Sequence, residues 1–237
     1  MTSVNATEAE EILQFLAPNA FGNVKGIAME YFLGLTGSEE GINFIASNPK
    51  FLTAIINLTD DSVEVIKKDA YFALINLTTV ESVATQVSAN EDFLFNSLKY
   101  ILQPNSLYAD IVCKVLCNMS RVKICAHRLV TVMVQKRAEV GFDKVIQVFC
   151  RESYNEKNDL HFLGPFLSNL TQIKQARHYI LDKEKCVVQR LLPYTCYEGS
   201  VIRRGGVVGA LKNCCFESGQ EYAFSPSSAP PYIYCHF

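Results

Sequence analysis

Long hydrophobic runs are missing from this 237-residue chain. No window reaches the roughly 18 uncharged apolar residues of a membrane-spanning helix, so no membrane partner is expected. Excess charge of one sign is missing too. A formal net charge of -2 gives no case for nucleic acid, which calls for a strongly basic face. The start, MTSVNATEAEEILQFL, lacks the basic residues and unbroken apolar run of a secretory signal and reads as an acidic amphipathic helix. The nine cysteines lack the regular spacing of a disulfide scaffold. Reduced thiols in a cytosolic or nuclear protein are expected. No segment shows the sustained alternation of a strand bounded by hairpin turns.

Signals for chemistry are equally sparse. No C-x-x-C pair occurs, and Cys113, Cys117, Cys125 and His127 match zinc spacing only loosely. No G-x-S-x-G elbow occurs. The string RRGGVVG lacks the Lys-Ser/Thr ending of a phosphate loop and does not follow a strand. No enzyme, cofactor or metal is expected.

What the chain does have is N-x-[ST], at Asn5, Asn57, Asn76, Asn118 and Asn169. Glycosylation would need the secretory pathway. Aligning on this signal shows a repeat instead. The marker positions are Gly34, Asn76, Asn118, Asn169 and Asn213, at intervals of 42, 42, 51 and 44. Positions one after, and two, three and six before, each marker are apolar or aromatic in all five segments. Those offsets form one stripe of a 3.6-residue helix, with the marker at its edge. A period near 42 residues fits a helical repeat of two or three helices. The segment VESVATQVSA reads as a short helix, and NEDFLFNSLKYILQP as a longer one ended by Pro104. Asn105 or Ser106 is expected to cap the next long helix, Asp60-Asp61-Ser62 the one before it, and Ser200 the last. The long interval carries a charged surface insertion at 151–159, and Pro165 should kink or delay its helix. The reading is an all-α, right-handed solenoid of armadillo- or HEAT-like repeats, about five units over residues 8–217. A divergent tail, 218–237, is expected to be extended.

Two readings of the marker amides stay open. Asn76, Asn118, Asn169 and Asn213 either line a groove and pair with an extended partner chain, or bridge to a neighbouring helix inside the protein. Gly34 can do neither. Arg203 and Arg204 likewise suit carboxylates on an acidic partner, or form a solvated helix end. Gly205, Gly206 and Gly209 are costly in a helix, which suggests close packing against the neighbouring unit.

The string ALINLT at a 42-residue period resembles the third helix of an armadillo repeat. The strings YNEKNDLHFLGPFLSNLTQ, CVVQRLLP and RRGGVVGALKNCCFE resemble the Hgh-one homolog family of armadillo-type proteins. That resemblance implies a cytosolic chaperone or adaptor that assists folding of translation elongation factor 2, alongside the cytosolic chaperonin and Hsp90 co-chaperones. A monomer is expected. The alternative is a generic armadillo scaffold for extended peptides. Family members continue after NCCFE with further repeats, whereas SGQEYAFSPSSAPPYIYCHF departs from them and reads as a C-terminal truncation. Tyr222, Phe224, Tyr232 and Tyr234 are the residues there that would cover the last helix's apolar flank.

Overall fold

The computed structural model describes residues 6–217, with side chains from residue 11 onward. Asn5 and the tail 218–237 lie outside the described residues. These contain helices and no strand. The long stripe-bearing helices are α2 (Gly22–Leu35), α5 (Glu64–Leu77), α8 (Ala109–Ser120), α12 (Leu163–Leu170) and α15 (Val201–Cys215). Each is preceded by one to three others. These are α1 (Ala6–Phe15), α3 (Glu39–Ser47) and α4 (Pro49–Leu58), α6 (Glu81–Val87) and α7 (Glu91–Ile101), α9 (Lys123–Gln135), α10 (Arg137–Val140) and α11 (Phe142–Phe149), then α13 (Lys174–Leu181) and α14 (Val187–Leu191). The long helices pack in chain order, α2 on α5, α5 on α8, α8 on α12 and α12 on α15. The result is an all-α solenoid.

Local chemistry sets the boundaries. Ser38, Asn48, Asn90 and Ser200 accept backbone N–H groups in the first turns of α3, α4, α7 and α15. Pro49 starts α4, where its missing N–H costs nothing. Pro165 is the third residue of α12, which starts late, at Leu163.

Two expected caps are corrected. Tyr108, not Asn105 or Ser106, precedes α8 and gives no side-chain cap. The cap comes from the insertion instead, because Asp110 N–H donates to Asn158 Oδ1 at 3.1 Å. Asp110 Oδ1 in return accepts Leu160 N–H at 2.7 Å. Asn155 Nδ2 donates to the Ser106 carbonyl at 2.9 Å, and this asparagine is buried. The insertion is thus a pinned strap over the α7–α8 turn rather than a plain surface loop. Ahead of α5, Asp61 Oδ1 accepts Val63 N–H at 2.8 Å in a turn, and the helix itself has no side-chain cap. Asp61 Oδ2 pairs with Lys25 Nζ at 2.5 Å, with both side chains under a tenth exposed. That ion pair ties α2 to the α4–α5 turn.

Every stripe residue of α5, α8, α12 and α15 is buried. Of the four α2 stripe positions only Phe32 is buried, while Tyr31 stands 57% exposed. Each later long helix is flanked by the one before it. Among the described residues, α2 has only α1 ahead of it.

Glycine decides the tightest joint. A Cβ on Gly206 would lie 2.0 Å from the Gly164 carbonyl carbon and 2.2 Å from Pro165 N. A Cβ on Gly209 would lie 2.5 Å from Ser168 Oγ. Helices α12 and α15 therefore meet backbone to backbone. Gly205 faces open space and takes no part in that contact.

Candidate protein-binding face

The marker asparagines fall in one row, and their N–H groups point back along the solenoid. Asn76 Nδ2 donates to Thr36 Oγ1 at 2.9 Å. Asn118 Nδ2 donates to the Ile75 carbonyl at 3.0 Å. Asn169 Nδ2 donates to the Cys117 carbonyl and to Ser120 Oγ, both at 3.1 Å. Asn213 Nδ2 donates to Thr171 Oγ1 at 2.8 Å and to the Ser168 carbonyl at 3.3 Å. Backbone carbonyls only accept, so the amide nitrogen must face them.

The hydroxyl of N-x-[ST] now has a reason. Thr36, Thr78, Ser120 and Thr171 each lie two residues after a marker. Each donates to a carbonyl of its own last helical turn, at 2.5–3.0 Å. That leaves the oxygen lone pairs turned to the amide of the next unit. Arg121 and Gln172, three residues after their markers, add a second line. Arg121 Nη2 donates to the Thr79 carbonyl at 3.2 Å, and Gln172 Nε2 to the Ser120 carbonyl at 3.0 Å. Sequence reasoning missed these two. Their shared offset was the available signal.

The bridging role is therefore occupied on the nitrogen side. The Oδ1 atoms of the four asparagines accept no hydrogen bond from the described residues and are open to solvent. A row of acceptors remains, without the paired donors that a two-handed amide ladder would present.

Six exposed apolar side chains stand near this row. At 100° per residue, positions eleven, seven and four before a marker and three after it fall within about 60° of it, away from the stripe. Val65 and Ile202 hold the first of these offsets, Ile27 the second, Phe72 the third and Phe216 the last, while Leu107 shares the first offset but lies in the turn before α8. All six are exposed. Lys114 sits on the same face, its Nζ 5.2 Å from the centre of the Phe162 ring.

The two arginines part company. Arg204 is partly exposed, and its Nη1 donates to the Tyr197 carbonyl at 3.0 Å. It stands half a turn around α15 from the marker, nine residues before it, whereas Arg203, ten before, falls about 80° away on the stripe side. Arg203 is only 3% exposed and enters the interior, so it is neither a groove residue nor a solvated helix end.

The cysteines divide by burial. Cys113, Cys125 and Cys214 are buried, with Cys214 on the α15 stripe. Burial pushes the Cys214 thiol up to about 12, the Cys117 thiol up to about 11 and the Cys113 thiol well above its usual range.

Comparison with known proteins fits this architecture. Residues 100–232 match the family described as a domain of unknown function, DUF383. The chain belongs to that family. The match runs past Glu217 into the segment expected to depart from it. Relatives named Protein HGH1 homolog share 42% identity in Danio rerio and 37% in Homo sapiens. Those alignments cover 89% of this chain and 55% and 54% of the relatives. The chain thus spans a little over half the length of the relatives it matches. Among solved structures, a designed armadillo repeat protein in complex with the peptide (KR)4 superposes with a TM-score of 0.66 at 13% identity, over 88% of this chain and 82% of that one. A computationally designed armadillo protein for modular peptide recognition gives 0.67 at 12% identity, over 88% and 82%. These show an armadillo-like fold for this DUF383 member. No described helix is long and apolar enough to cross a membrane.

Proposed function

We propose that this chain is a non-enzymatic adaptor whose marker face holds an extended, apolar segment of an incompletely folded protein. The client class is translation elongation factor 2, as the resemblance to the Hgh-one homologs implies. One observation carries the reading. Six exposed apolar side chains stand near a row of solvent-open carboxamide oxygens. Apolar pockets hold alternate side chains of an extended segment, and the oxygens accept its backbone N–H groups. A folding intermediate offers both, because its apolar residues and backbone donors are not yet buried.

The designed armadillo protein in complex with the (KR)4 peptide supports a peptide-holding role for the fold.

The test uses purified elongation factor 2 diluted from denaturant, with aggregation followed by light scattering. Added stoichiometrically, the chain should suppress scattering. The Phe72→Ser/Leu107→Ser variant changes two exposed side chains and should lose most of that effect while melting normally. Equal suppression by the variant would sink the reading of this face. Suppression for every aggregating protein tried would favour a generic peptide scaffold over a dedicated client.

A further inference from the structure

Away from the marker face, the last unit holds a cation that the fold does not neutralise. Arg203, in the first turn of α15, enters a box of three rings. Its Cζ lies 4.6 Å from the ring centre of Phe149, 5.3 Å from that of Tyr194 and 5.6 Å from that of Tyr197. Nη2 donates to the Phe149 carbonyl at 2.8 Å. Nε is buried and bonded to nothing. No described carboxylate pairs with this guanidinium. Nη1 has no partner either and is absent from the buried set, so solvent reaches it. Burying an unpaired cation is costly. The ring faces offset part of that cost. The positive potential left over is available to an anion.

There is room for one beside it. A cleft of about 700 Å³ has Tyr194, Tyr197 and Cys150 among its walls and Arg190 at its edge. Arg190 is exposed and forms no ion pair among the described residues. Glu152 and Glu198 also stand at the rim. They oppose a polyanion such as phosphate. They suit a single carboxylate flanked by basic groups, with each glutamate taking one flank.

We infer that this cleft is a second binding site, which takes the side-chain carboxylate of an acidic residue flanked by lysines on a protein partner. Arg190 meets the carboxylate directly, and Arg203 supplies the field behind the tyrosine rings. The site lies off the marker face and does not depend on the client assigned to that face.

The experiment is an NMR titration of the whole chain with acetyl-Lys-Glu-Lys-amide, and in parallel with its Gln counterpart. The Glu peptide should shift the amides of Cys150, Tyr194 and Tyr197 and bind at least about tenfold more tightly than the Gln peptide. Arg190→Gln alters an exposed side chain, so it should weaken the Glu peptide severalfold with the melting temperature unchanged. Equal binding of the two peptides, or shifts confined to Asn76, Asn118 and Asn169, would overturn the proposal. So would inorganic phosphate giving the same shifts at matched ionic strength with equal affinity, which would make the cleft a small-anion site.

Discussion

Asn118 Nδ2 stands 3.0 Å from the carbonyl oxygen of Ile75, forty-three residues earlier in the chain. One side-chain amide thereby joins α8 to the last turn of α5. Asn118→Ala removes this bond and the longer one to Thr78 Oγ1 at 3.5 Å, and should cost about 1 kcal/mol. Asn118→Asp sets an acceptor against an acceptor and should cost about 2–3 kcal/mol near neutral pH. Urea unfolding of both variants checks the order. Equal losses would mean that the amide's N–H does not matter.

The α12–α15 joint makes an opposite pair of predictions for neighbouring glycines. Gly206→Ala drives a methyl into the backbone at Gly164 and Pro165, and should cost about 3 kcal/mol or more. Gly205→Ala meets nothing within 4 Å and should stabilise α15 by about 0.5–1 kcal/mol. Thermal unfolding of the two single variants separates these signs.

Acid sensitivity should centre on Lys25 and Asp61. Burial raises the Asp61 pKa, but the Lys25 hydrogen bond, the Val63 N–H and the charges of Lys25 and Lys67 outweigh it and leave the value below 3.8. A folded pKa beneath the unfolded one adds stability above the unfolded value, and that stability is lost as pH falls through the folded value. The stability difference between the wild type and Asp61→Asn should therefore shrink as pH is lowered from 5 towards 2. Lys25→Met leaves a buried carboxylate unpaired and should cost about 3–5 kcal/mol at neutral pH. Denaturant melts across that pH range provide the readout.

Thiol chemistry should divide the cysteines by burial. Cys186, Cys196 and Cys215 are exposed and should alkylate within minutes under native conditions. Cys113, Cys125 and Cys214 are buried and should react only after unfolding. Peptide mapping after timed labelling tests this, and fast labelling of Cys214 would show that α15 opens locally.

The solenoid was legible because its information is periodic. Twenty stripe positions and a marker near every 42 residues define helix, period and face together. Gly206 was legible as a packing glycine for the same reason. What escaped depends on contacts between segments far apart in the chain. Asn158 caps α8 across the insertion, which no local rule for Asn105 or Ser106 anticipates. Arg203 looked like a surface arginine, because the rings that enclose it come from α11 and from the residues after α14. The two readings of the marker amide also needed coordinates, since a carboxamide's spacing does not say which of its ends is engaged.

The same row of amides bears on self-assembly. An open stack of repeats is a natural building block for a filament, in which the α15 end of one copy would meet the α2 end of the next. At every internal joint an asparagine meets the last turn of the helix before it, beside a hydroxyl. At that head-to-tail joint the donor position is Gly34 and the hydroxyl position is Cys215. Both halves of the lock are absent from that pairing, so the asparagine–hydroxyl bridge of the internal joints cannot form between α15 and α2.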